Sequence, residues 1–199
     1  MLSDGYHDVP KGKLAMVITQ LEMRTRADTR PVLTPDGVTL RRMENITLDQ
    51  YRDIYRRVGE EWLWFSRLTM QDADLSAIIH DPKVQLFTLV RDGQTQALLE
   101  LDFRTDNECE LAFFGLTKDL IGTGSGRYLM NFAINTVWDH PVERFHLHTC
   151  TIDSPMALNF YARSGFTAVG RKIEVANDPR NTSGWDKTIA PQIPIIKLS

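Results

Sequence analysis

The sequence predicts a mixed α/β (α+β) fold, with a mostly antiparallel central sheet and flanking helices. Three observations carry that expectation. Asp92-Gly93 separates two apolar runs, 84–91 and 94–103, which is a strong two-residue hairpin signal. Leu129, Met130, Ala133, Ile134, Val137 and Trp138 recur at spacings of three and four, so 125–139 reads as an amphipathic helix stopped by Pro141. That helix joins two strand-like segments, 108–116 and 144–151, which should therefore run parallel through a right-handed crossover.

The remaining elements follow in chain order. Residues 13–23 are a short apolar run and read as a strand. Residues 24–37 are turn-rich, and 38–43 reads as another strand. Thr47 with Gln50 three residues later resembles a capping box. Tyr51, Ile54, Tyr55 and Val58 form the helical stripe behind it, and Gly59 follows. The aromatic segment 60–68 precedes a second helix over 71–80, with Leu75, Ile78 and Ile79 inward. Asp106-Asn107 marks a turn before the 108–116 strand, and 117–124 is a glycine-bearing loop. After the 144–151 strand, Ser154 and Pro155 read as N-cap and first helical residue. Ala157, Phe160, Tyr161 and Ser164 then share a face, and Gly165 suits the position just past the helix end. Residues 167–176 form the last clear strand. The chain divides into an N-terminal extension with an extra strand (1–37), a central domain (38–176) and a C-terminal tail packed on it (177–199). The strand at 13–23 and the apolar stretch 193–198 can each pack internally or join two subunits.

Composition narrows the function. The 199 residues carry 23 Lys+Arg against 26 Asp+Glu, a net charge of −3. A pI near 5.9 argues against a nucleic-acid partner, which calls for a basic stripe. Nothing points to a membrane: no apolar run approaches the roughly 18 residues a spanning helix needs. Residues 1–12 lack the features of a signal peptide, so a cytoplasmic location is expected. With only Cys109 and Cys150, a disulfide framework is not expected, and the two should stay reduced. His146, His148 and Cys150 alternate on one strand face, but a strand rises roughly 3.3 Å per residue, so the outer two lie about 13 Å apart. One ion cannot reach both, and no metal is expected.

Gly122-Thr123-Gly124-Ser125-Gly126 follows a strand and opens a helix, where free N–H groups and the helix dipole favour an anion. There is no Gly-Lys-Ser/Thr, so this is not a Walker A loop, and the spacing fails as a dinucleotide fingerprint. The segments 108–130 and 145–166 resemble the GCN5-related N-acetyltransferase (GNAT) superfamily. The first is similar to its acetyl-CoA motif, a glycine-rich Q/R-x-x-G-x-G/A turn ahead of an apolar helix, here Ile121 to Gly126. The second is similar to its later strand–helix motif, here Ser154, Ala157, Phe160, Tyr161, Gly165 and Phe166. Ile121 stands where the motif usually has Gln or Arg, and Ser154 where it usually has Asn. The resemblance spans roughly 38–176.

That resemblance implies a GNAT-type sheet in which the parallel pair splays apart around the pantetheine arm. It implies acetyl-CoA as co-substrate, held by the backbone of Phe114, Gly115, Leu116, Thr117 and Lys118, by Gly122, Thr123, Gly124, Ser125, Gly126 and Arg127, and by Ser154 and Tyr161. Tyr161 reads either as the general acid for the departing thiolate or as a core aromatic. Glu110 is expected to share a strand face with Ala112, Phe114 and Leu116 and to act as general base. Its pKa should be raised by a partly apolar cleft; Glu108 is the alternative. Phe113 is expected in the core. Trp62, Trp64 and Phe65 read as an aromatic wall for the acceptor or as a lid over the core, with His148 facing substrate. The expected activity is direct acetyl transfer to a primary amine in a ternary complex, by a monomer or homodimer. The alternative is a non-catalytic acyl-CoA sensor or interaction module on the same fold.

Overall fold

The computed structural model describes residues 3–182 and 184–197, so Ser183 and the last two residues of the tail lie outside the described residues, as do Met1 and Leu2. Its strands are β1 (Lys13–Met23), β2 (Val38–Arg42), β3 (Val84–Arg91), β4 (Gln94–Thr95), β5 (Ala97–Asp102), β6 (Glu108–Leu116), β7 (Arg144–Cys150) and β8 (Thr167–Asn177). Its helices are α1 (Leu48–Gly59), α2 (Ser66–Thr69), α3 (Asp72–Ile79), α4 (Ser125–Trp138) and α5 (Ala157–Arg163). The sheet runs in the order β2-β3-β5-β6-β7-β1-β8, with β4 pairing on β3.

Local chemistry explains most of these elements. Thr47 accepts from the Gln50 amide while the Gln50 side chain accepts from the Thr47 amide, closing the capping box at α1. Asp92 and Gly93 both take positive φ, the geometry a two-residue hairpin requires. Gly165 sits at φ +103°, and a Cβ there would lie 2.4 Å from that of Ala27. Ser154 differs from expectation. Its carbonyl and hydroxyl bond to the amides of Ala157 and Met156, so a tight turn precedes α5 and the helix starts at Ala157.

Two cores flank the sheet. On one face, α4 packs Leu129, Met130, Ala133, Ile134 and Val137 onto Leu99, Leu101, Leu111 and Phe145, with Tyr161 and Phe166 beside them. On the other, α1 and α3 pack Tyr51, Ile54, Tyr55, Val58, Leu75 and Ile79 onto Val84, Leu86 and Leu98. Full burial of each such side chain contributes roughly 1.5–3 kcal/mol.

β1 is an internal strand. It lies antiparallel between β7 and β8, with Gln20 opposite both His148 and Gly170. Its Leu14, Met16 and Ile18 form a third cluster, onto which the tail folds Trp185, Ile189 and Ile193. The buried Arg180 holds that tail, ion-paired to Asp178 at 2.8 Å and donating to the carbonyls of Ile189, Ala190 and Ile193.

β6 and β7 run parallel and pair only at Glu108, Cys109 and Glu110, opposite Arg144, Phe145 and His146. Beyond Glu110 the two strands separate. β6 also carries a bulge: Leu111 opposes Leu101 and Phe113 opposes Glu100, leaving Ala112 as the extra residue. The bulge reverses the alternation of the strand. Leu111 and Phe114 both point to the α4 core, whereas Phe113 points to the α1 core. Glu110 therefore does not share a face with Phe114 and Leu116, as unbroken alternation would require; it lies on the face of Phe113.

Candidate active site

Where β6 and β7 part, a cavity of about 910 Å³ opens through the sheet. Phe114, Leu116, Gly126, Ala157 and Phe160 line it on the α4–α5 side. Leu63, Trp64, Phe65, Phe113 and Ile152 line it on the α1–α2 side. Phe114 stacks on Phe160, with ring centroids 5.5 Å apart.

The glycine loop forms one mouth. Gly122 and Gly124 adopt φ of +81° and +88°, and Gly124 is the N-cap of α4 with no side-chain cap. The helix thus presents uncapped amides to the cavity, beside Arg127 and with Arg30 and Arg163 also in the lining. This donor set suits the phosphates of a nucleotide-bearing ligand.

The Trp64 indole fills the angle between α1 and β6. A Cβ on Gly59 would come within 2.3–2.5 Å of three indole carbons, and one on Gly115 within 3.0 Å of Cη2. Both glycines leave the space that the ring occupies. Its Nε1 donates to Asp153 Oδ1 at 3.1 Å. The other Asp153 oxygen accepts from Thr149 Oγ1 at 2.7 Å and from the Cys150 amide at 2.8 Å. Tyr55 and Phe113 pack edge-on beside the indole, with centroids 4.9 Å apart, and Tyr55 shares a hydrogen bond with Ser66.

Tyr161 lies at the inner wall. Its ring is buried, and its hydroxyl has no hydrogen-bond partner among the described residues. Burial, with Asp153 nearby, pushes the phenol well above its ordinary pKa, so it stays protonated at neutral pH. His148 is half exposed and lines the cavity, with Nδ1 3.6 Å from Glu110 Oε1. The Glu110 carboxylate beside it raises the imidazole pKa. The reciprocal effect of His148 holds the Glu110 carboxyl below the usual range, against the upward push of burial. The expectation of a raised Glu110 is thereby corrected: an imidazole partner outweighs desolvation.

Residues 54–177, more than half of the chain, match the family model described as an acetyltransferase (GNAT) domain. The chain belongs to the GNAT acetyltransferases. No curated protein sequence matches it. Among solved structures, a GCN5-related N-acetyltransferase from Sphaerobacter thermophilus superposes with a TM-score of 0.60 at 14% identity, over 86% of this chain and 53% of that one. An acetyltransferase of the GNAT family from Novosphingobium aromaticivorans gives 0.57 at 14%, over 86% and 70%. An aminoglycoside acetyltransferase from an uncultured soil metagenomic sample gives 0.55 at 13%, over 70% and 94%. The chain thus spans about half the length of the Sphaerobacter structure and nearly all of the aminoglycoside enzyme.

Within this GNAT domain the residues singled out from sequence divide in two. Phe114, Gly115, Leu116, Gly122, Gly124, Gly126, Arg127, Ser154, Tyr161, Trp62, Trp64, Phe65 and His148 all line the cavity. Thr117, Lys118, Thr123, Ser125 and Glu110 do not. The Thr117 amide donates to the Gln96 carbonyl and its hydroxyl bonds the Gln96 side chain, while Lys118 pairs with Glu61 on the surface. The hydroxyls of Thr123 and Ser125 bond each other, and Ser125 is fully buried. Glu110 lies behind His148. The alternative base, Glu108, is occupied by Arg144 at 3.1 Å and His146 at 3.4 Å.

Sequence reasoning missed two groups. Asp153 organises the β7 end, and its only signal was a position just ahead of Ser154-Pro155. Glu100 is buried behind Phe113, accepting from Tyr51 at 2.5 Å and pairing with Arg67 at 2.7 Å. The Arg67 guanidinium lies 5.1 Å from the Phe113 ring centroid, supporting it from below. A carboxylate set inside the apolar run ALLEL was the available clue. No helix among the described residues is long and apolar enough to cross a membrane.

Proposed function

We propose that this protein transfers an acetyl group from acetyl-CoA to a primary amine, both substrates being bound at once. The observation that carries the reading is the parting of β6 from β7 directly beside the uncapped start of α4. It joins an anion-binding mouth to an apolar slot that reaches the opposite sheet face. The donor set and the cavity size fit a phosphate-bearing ligand with a long thin arm.

Acetyl-CoA supplies an activated thioester. The amides of Gly124, Gly126 and Arg127, with the Arg127 side chain itself, hold the phosphates. The edge of β6 between Phe114 and Leu116, unpaired on its β7 side, offers backbone groups to the arm and an N–H to the thioester carbonyl. His148 takes the proton of the attacking ammonium, directly or through water, and Glu110 orients and tunes it. The new C–N bond forms as the C–S bond breaks. Tyr161, protonated at neutral pH and free of other partners, donates its proton to the departing thiolate. Cys150 lines the cavity, but burial pushes its thiol up to about 11, which opposes a covalent acetyl-cysteine route.

Calorimetric titration with acetyl-CoA tests the binding half. Gly124→Glu places a carboxylate at the phosphate mouth and should abolish binding, with circular dichroism confirming an intact fold. Wild-type affinity in that variant would refute the site, and failure of the native protein to bind acetyl-CoA would refute the function.

A further inference from the structure

We infer that the acceptor is a primary amine carried on an aromatic or bulky aliphatic body and lacking a carboxylate; this rests on the acetyltransferase reading above. The α1–α2 side of the cavity is walled by Met16 and Ile18 from β1, by Leu63, Trp64 and Phe65, and by Ile152. Such a chamber favours an apolar body, whose surface it removes from water.

The guanidinium groups are segregated. The guanidinium groups in the lining are Arg30, Arg127 and Arg163, and all belong to the α4–α5 side: Asn131 of α4 donates to the Arg30 carbonyl, Arg127 lies on α4 and Arg163 on α5. Among the described residues, the α1–α2 side has no Lys or Arg in its lining. It has Asp153 instead, which accepts three hydrogen bonds, none of them from Lys or Arg, and Glu174, which stands opposite Met16 on β1. Both carboxylates add to the field that raises His148.

An ammonium entering this chamber meets the Asp153 carboxylate, where ionic attraction acts at the rim of an apolar wall. A carboxylate on the same molecule would meet no Lys or Arg and two like charges, a poorly compensated desolvation. A polyhydroxylated or multiply charged amine would bury polar groups against Ile18, Leu63 and Phe65 without partners.

The test is acetyl-CoA-dependent release of free CoA by the wild-type protein with a matched panel. 2-Phenylethylamine and tryptamine are set against phenylalanine, which has the same body with a carboxylate, and against spermidine and kanamycin. The two arylalkylamines should exceed each of the others in kcat/KM by about 100-fold or more. Asp153→Asn should raise KM for 2-phenylethylamine about tenfold while leaving the KM for acetyl-CoA unchanged. Preference for phenylalanine, spermidine or kanamycin, or no turnover of either arylalkylamine by protein that binds acetyl-CoA, would overturn this acceptor class. Absence of acetyl-CoA binding would instead remove the acetyltransferase reading, and the acceptor class with it.

Discussion

Replacing Gly59 by alanine should destabilise the protein, although the same change usually stabilises a helix. Gly59 ends α1 with φ −114° and ψ −14°, a conformation open to alanine. On backbone grounds alone the substitution would gain about 0.4–1 kcal/mol by restricting the unfolded chain. The added methyl, however, would lie 2.3 Å from Cε3, 2.4 Å from Cδ2 and 2.5 Å from Cγ of Trp64. These atoms are the root of a large ring held by Gly115 on its far side and by Asp153 at its nitrogen. The indole cannot step aside without losing that bond, and overpacking of this kind costs about 1–3 kcal/mol.

The net expectation is a loss of up to about 2.6 kcal/mol, read as a fall in Tm of about 2–4 °C per kcal/mol for a chain of this size. A double-mutant cycle isolates the cause. In a Trp64→Ala background the obstacle is gone, so Gly59→Ala should become neutral or stabilising, with a coupling of about 1–3 kcal/mol between the two sites. Urea or thermal unfolding of the four proteins measures it. Equal effects of Gly59→Ala in both backgrounds would refute the seating of the indole between α1 and β6. They would also remove the stated reason for Trp64 as a fixed wall.

The other predictions concern chemistry. Tyr161→Phe keeps the ring against Phe114 and Phe160 and removes only the proton donor, so kcat should fall about 100-fold, or about 3 kcal/mol, with acetyl-CoA Kd unchanged. A variant with full kcat would make Tyr161 a wall residue alone. Glu110→Gln should move the acid limb of the pH–rate profile to lower pH. His148 acts as a base only when neutral, and the Glu110 carboxylate holds its pKa up; without that charge the imidazole deprotonates at lower pH. A limb that does not move would separate the pair from the proton transfer. Intact-mass analysis of protein incubated with acetyl-CoA alone should show no acetyl adduct at Cys150, since burial keeps its thiol protonated at neutral pH. A stoichiometric adduct there would establish a two-step route in place of direct attack.

Much of the fold was legible because its signals are local. The α1 capping box, the Asp92-Gly93 hairpin and the α4 stripe each follow from side chains within a few residues, and the structure has all three. The order of strands is not local. Nothing in 13–23 says which neighbours it will pair with, and its place between β7 and β8 depends on contacts more than 120 residues away. The bulge at Ala112 was equally hidden, because the apolar run LAFF has no alternation to mark an extra residue. Unbroken alternation would have put Glu110, Phe114 and Leu116 on one face and left the other face of β6 without a carboxylate. The extra residue divides the strand by task instead. Residues before it aim Glu110 toward His148 on the face of Phe113, and residues after it aim Phe114 toward Phe160 beside the glycine loop. One strand can then serve two substrates that approach from opposite sides of the sheet, which a regular period of two would not allow.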